Sequence, residues 1–158
     1  MSNKSKFPNL HGFAPGVWIV TGETPDSIQL CQGTDYSGDP EDVNELVLIT
    51  RHGFVLRMKA SAVDAADFDR ACIIPSQFGP EWHLPDPVEA VSIAMHFPEI
   101  CDTLRHLGKP CFPLCIWTNM LWPCDRSQAI YAELRSCLLD VDVLFEDYGV
   151  VVIKHENY

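Results

Sequence analysis

Residues 45–59 read Glu-Leu-Val-Leu-Ile-Thr-Arg-His-Gly-Phe-Val-Leu-Arg-Met-Lys, two β-prone apolar runs on either side of a His-Gly pair. Aliphatic and β-branched side chains in runs of this length suit a pleated, half-buried surface. Glycine adopts positive φ freely, and histidine tolerates it better than most residues. The stretch therefore predicts an antiparallel hairpin closed by a two-residue turn at His52-Gly53. In that register Val47, Ile49, Phe54, Leu56 and Met58 share one apolar surface. The opposite face, which pairs Thr50 with Val55, Leu48 with Arg57 and Leu46 with Lys59, is half polar, as a solvated face should be. An isolated hairpin is marginal in water, so the rest of the chain must supply a layer to cover the apolar side.

The triplet Arg51-His52-Gly53 at the end of an apolar strand also resembles the mark of the histidine phosphatases, in which the histidine takes a phosphoryl group. In that family Glu or Gln and a polar phosphate-binding loop follow the glycine. Here Phe54 to Lys59 continue as a strand, and the turn reading accounts for the whole stretch.

Upstream, Gly16–Gly22 and Ser27–Cys31 are β-prone runs with turn chemistry at Glu23-Thr-Pro-Asp26 between them, and residues 1–12 read as a flexible arm,. Asp39 and Pro40 open a helix of one or two turns. Residues 60–71 carry a weak helical face through Ala62, Ala65, Ala66 and Phe68, and the proline-rich run from Ile74 to Pro87 reads as a long irregular loop,. Asp86 and Pro87 repeat the helix-start signal for a helix through about Phe97. A second segment runs from Pro98 to Leu107 and stops at Gly108. Residues 110–118 are extended and apolar. Asp125 is expected to cap a helix bearing Ile130, Leu134, Cys137 and Leu138, and residues 141–153 to form a second hairpin,. The sum is an α+β fold: one domain over residues 13–158, with a largely antiparallel sheet of two hairpins packed against two or three helices.

Function must be sought in charge. The formal net charge is −11, and its distribution is uneven. No Lys or Arg stands between Lys6 and Arg51, where Glu23, Asp26, Asp35, Asp39, Glu41, Asp42 and Glu45 lie. A second base-free stretch, Arg70 to Arg105, holds Glu81, Asp86, Glu89, Glu99 and Asp102. Such a surface repels nucleic acid and anionic lipid and attracts a basic partner. With no apolar signal region at the N-terminus and no run near the ~20 apolar residues of a membrane span, the expectation is a soluble cytoplasmic protein.

Seven cysteines, an odd number with no secreted-framework spacing, read as mostly reduced thiols, most of them small buried apolar residues,. A zinc site is the alternative, with Cys111, Cys115, Cys124 and His106 as ligands. Against it, Cys111 and Cys115 would lie ~13 Å apart on an extended chain. Asp35, Ser37 and Asp39 do not make a calcium loop, since Pro40 stands where glycine is required and Leu46 where glutamate is,. No phosphate-binding loop, nucleophile elbow, dinucleotide fingerprint or His-Glu-x-x-His occurs, so catalysis has no positive sign. No cofactor is expected.

The expectation is thus a small acidic interaction protein, of the inhibitor, immunity-protein or nucleic-acid-mimic type, that binds a basic, nucleic-acid-binding protein. Asp35, Asp39, Glu41, Asp42 and Glu45 would steer and pair, and Trp82 would anchor. The alternative is a small enzyme or metal-binding protein centred on the Cys/His-rich 96–124 region.

Overall fold

The computed structural model describes residues 13–24, 27–51 and 54–156. Among the described residues, two five-stranded sheets and three α-helices make up one α+β domain. The first sheet is antiparallel and is built from β1 (Gly16–Glu23), β2 (Ile28–Gln32), β3 (Glu45–Ile49), β4 (Val55–Lys59) and β10 (Ile153–Glu156), in the order β10-β4-β3-β1-β2. The second contains β5 (Val63–Ala66), β6 (Cys115–Leu121), β7 (Gln128–Glu133), β8 (Leu138–Val143) and β9 (Tyr148–Val150), in the order β5-β9-β6-β7-β8. One parallel contact, Ile116 with Gly149, joins β6 to β9.

The hairpin expected at 45–59 forms, with its register shifted by one residue. Leu46 pairs with Met58, Val47 with Arg57, Leu48 with Leu56 and Ile49 with Val55. Thr50 closes the ladder on Phe54: its amide donates to the Phe54 carbonyl at 3.1 Å and its Oγ1 accepts from the Phe54 amide at 3.2 Å. Three residues, 51–53, are thereby left for the connection. His52 and Gly53, on which the two-residue turn was expected, lie outside the described residues. A one-residue shift exchanges faces, so Val47 and Ile49 share a surface with Arg57 and Val55, while Leu46, Leu48, Leu56 and Met58 form the other. The expected solvated face is also corrected, because all eight of these side chains are buried.

Two helices cover the Leu46–Met58 side. Asp86 N-caps α2 (Pro87–Met95) in a full capping box: its Oδ1 accepts from the Glu89 amide at 2.7 Å, and Glu89 Oε1 accepts from the Asp86 amide at 3.0 Å,. Next, α3 (Phe97–His106) has Pro98 in its first turn and is followed by Gly108, whose φ of +68° suits a helix stop,. Ile93, Phe97, Ile100 and Leu104 meet Leu46, Met58 and Ile116 in the main core. The opposite side of the second sheet packs Trp117 against Phe68 of α1 (Phe68–Ile73), with Tyr131 and Tyr148 nearby.

Three other expectations are corrected. The weak helix at 60–71 divides into β5 and α1, with Asp67 as N-cap to the Arg70 amide. Part of the 74–87 loop, Ile74–Phe78, is a 3-10 helix. The helix expected after Asp125 is β7, turning through Cys137 at φ 57° into β8. Asp125 caps only a tight turn, accepting from the Ser127 amide at 3.0 Å. The second hairpin is consequently β7–β8, and β9 leaves it to pair with β5 and β6. No helix among the described residues is long and apolar enough to cross a membrane.

On the Val47 face Arg57, only 5% exposed, is the hub of an ion-pair network. Its Nε donates to Glu45 Oε2 at 2.7 Å, Nη1 reaches Glu156 at 3.3 Å and Nη2 lies 3.6 Å from Glu23. Lys59 bonds Glu45 at 3.3 Å, and Lys154 joins Glu156 at 3.5 Å and Glu81 at 2.8 Å. Burial opposes the guanidinium charge, but pairing with Glu45 and the other acids outweighs it and raises the arginine pKa,. Removing one partner of such a network leaves buried charge uncompensated, so Arg57→Ala is expected to lower the unfolding free energy by about 3–5 kcal/mol in urea denaturation. Combining Arg57→Met with Glu45→Gln and Glu156→Gln should recover most of that loss.

Candidate functional site

The acids singled out from the sequence separate into two groups. Asp35, Asp39, Glu41 and Asp42 are exposed, on a segment with 3-10 turns at Gly33–Asp35 and Pro40–Asp42. Asp39 is the N-cap expected of it, its Oδ1 accepting from the Glu41 amide at 3.0 Å, and the Tyr36 hydroxyl donates to the Asp39 carbonyl at 3.0 Å. Glu45 belongs to the other group. It is committed to Arg57 and Lys59 and is not free to meet a partner.

The acidic segment is docked on α3. His106 Nε2 donates to the Tyr36 carbonyl at 2.7 Å. A Cβ placed on Gly33 would stand 2.5 Å from Thr103 Oγ1, so only glycine permits this approach of loop to helix,. The side chains of Glu99 and Asp102 on α3 are both more than half exposed. The loop from the first base-free stretch thus lies against the helix that ends the second, although no sequence signal joined them. Trp82 is in a different cluster. Its half-buried ring packs with the second core beside Phe78, and Lys59 Nζ lies 4.1 Å above it,.

The proposed zinc ligands are not brought together. Cys111 is disulfide-bonded to Cys101, with Cα atoms 5.2 Å apart, His106 Nε2 is engaged by Tyr36, Cys115 opens β6 and Cys124 is exposed in the turn before β7. Among the described residues no group of three or more His, Cys, Asp or Glu side chains is placed to hold a metal ion. Five of the seven cysteines are free, in keeping with mostly reduced thiols, but Cys101 and Cys111 are paired, and the expectation that most are buried is corrected, since none is.

A cleft of about 250 Å³ is lined by Cys72, Ser76, Trp82, His83 and Asn119 among others. His83 Nδ1 donates to the Leu84 carbonyl at 2.6 Å, which assigns the ring proton to Nδ1,. Burial and the charge of Asp69 push the Cys72 thiol up, opposite to what an activated nucleophile requires,.

In the sequence Glu89 counted only as one of the acids of the second base-free stretch. It is 6% exposed, with Oε2 3.6 Å from His155 Nδ1. Burial pushes its carboxyl above the ordinary range, against the Asp86 amide, His83 and His155, which pull it down,. Its carboxylate serves α2 and the β10 edge rather than an open cleft.

No family model matches the chain, and no curated protein matches it significantly.

Two outcomes follow. Thiol titration of the unreduced, denatured chain should find five free thiols, and seven after reduction. A carboxyl raised by folding binds its proton more tightly in the native state, so native stability falls as pH rises from the ordinary carboxylate range through the raised pKa,. Glu89→Gln keeps the capping box and removes that ionisation. Its melting temperature relative to wild type should be higher at pH 7 than at pH 4, and a difference that does not vary with pH would refute the assignment.

Proposed function

We propose that this chain is a non-enzymatic interaction protein that engages a basic protein partner through the surface made by the 33–42 segment and the outer side of α3. The observation that carries this reading is that the segment bearing exposed Asp35, Asp39, Glu41 and Asp42 is docked, through Gly33 and Tyr36, on the helix bearing exposed Glu99 and Asp102. Clustered like charge of this kind speeds encounter with an oppositely charged surface and disfavours nucleic acid and anionic lipid. A partner whose own ligand is nucleic acid carries the complementary basic groove, so the reading extends to an inhibitor or immunity-type protein that occludes such a groove, acting in the cytoplasm.

Asp39 holds its turn, so the test leaves it in place. Asp35→Asn, Glu41→Gln and Asp42→Asn together remove three charges from exposed positions, where substitutions typically change stability by about 0.5 kcal/mol or less each. A basic protein bound by wild type at low salt should be lost by this variant. Its association rate with wild type should fall steeply as salt rises. Binding unaffected by both salt and the triple substitution would refute the proposal.

A further inference from the structure

The second sheet ends on β8, which pairs with β7 on one side and, among the described residues, with no strand on the other. It is the longest of the strands at the described sheet edges, and none of its six residues is buried. Leu138 and Leu139 are 61% and 42% exposed. A long edge with apolar side chains invites pairing with another chain, and proteins commonly blunt such edges with lysine, proline or a bulge. The strand reads Leu-Leu-Asp-Val-Asp-Val, without lysine or proline, and its ladder with β7 runs through all six residues without a shift.

The direction of the backbone groups shows what stands in their place. In an antiparallel ladder alternate residues point their amides and carbonyls at the partner strand. The Leu144 amide donates to the Ser127 carbonyl across the β7–β8 ladder. Asp142, Asp140 and Leu138 therefore also turn toward β7, and Val143, Val141 and Leu139 present their amides to the open edge. Two of those three outward amides are covered from within the strand. Asp140 Oδ1 accepts from the Val141 amide at 2.8 Å, and Asp142 Oδ1 from the Val143 amide at 2.7 Å. The other oxygen of Asp142 accepts from the Tyr148 hydroxyl, which holds that carboxylate in place.

Charge opposes the same pairing. Two copies closing a two-fold through this edge would set β8 antiparallel to itself. Their outward amides meet only where residues 139, 141 and 143 face one another. In the central registers that satisfy this, Asp140 stands opposite Asp140 or Asp142 of the other copy, or Asp142 stands opposite itself. Like charges directly opposite destabilise a strand pair. The other face of the strand, with Leu139, Val141 and Val143, would join its counterpart as an apolar row.

We propose that β8 is an interface for a second copy of this chain, held shut by Asp140 and Asp142, whose carboxylates occupy its outward amides and repel their counterparts. The inference does not depend on the partner surface assigned to α3 and the 33–42 segment. It makes the monomer a property of two side chains rather than of the sheet.

The deciding variant is Asp140→Thr. In the register that sets residue 140 opposite itself, this substitution uncovers the Val141 amide, removes the opposed charges and leaves Asp142 with its Tyr148 contact. The test is sedimentation velocity over a concentration series, with amide hydrogen exchange of the same samples read by NMR. Wild type is expected to stay monomeric. Asp140→Thr should dimerise, with a dissociation constant at least about tenfold below the limit set by wild type, and exchange at Leu139 and Val141 should slow as concentration rises. Adding Val141→Pro to Asp140→Thr deletes an outward amide without removing a bond to β7, and should restore the monomer. A wild-type dimer with protected β8 amides, a monomeric Asp140→Thr chain, or a dimer that survives Val141→Pro would overturn the assignment.

Discussion

A guanidinium shut away from water must be paired, and Arg57 draws its partners from three other strands: Glu23 from β1, Glu45 from β3 and Glu156 from β10. A buried network of this kind contributes little net stability compared with apolar packing, but it penalises every arrangement that leaves one member alone. In the observed register Glu45 stands opposite Lys59 and on the same face as Arg57. Slipping β3 by one residue would turn Glu45 into the helical core and leave Arg57 without its nearest acid. The charged residues thus specify what the apolar residues leave ambiguous, since Leu46-Val-Leu-Ile49 is apolar on both faces.

The position of that hairpin determines where the acidic face forms. With β3 and β4 in register, Leu46 and Met58 meet α2 and α3, and α3 presents Thr103 and His106 to the returning 33–42 segment. Four acids on a loop held by its own caps thereby join two on a helix. The hydrogen bond from His106 and the close fit of Gly33 against Thr103 hold the segment on the helix.

Legibility varied by element. The α2 and α3 boundaries were readable because Asp86-Pro87, Pro98 and Gly108 act locally, through capping and fixed dihedrals. The segment after Asp125 was not, because Ile130 and Leu134 satisfy a helical spacing while Ala129, Ile130, Tyr131 and Ala132 serve equally as a strand covered on both faces,. Within the candidate site the exposed acids were legible as charge. The diversion of Glu45 to Arg57, the burial of Glu89 and the pairing of Cys101 with Cys111 were not, since each depends on partners 10 or more residues away.

By itself the sequence determined the α+β class, the capped helices, the first hairpin's existence and the segregation of negative charge, because each depends on neighbours within a few residues or on composition alone. Only the tertiary structure decided the hairpin register, the division into two sheets, and which acids face solvent together. Those outcomes turn on which distant side chains share a buried face, and short-range patterns carry no information about that choice when both faces of a strand are apolar.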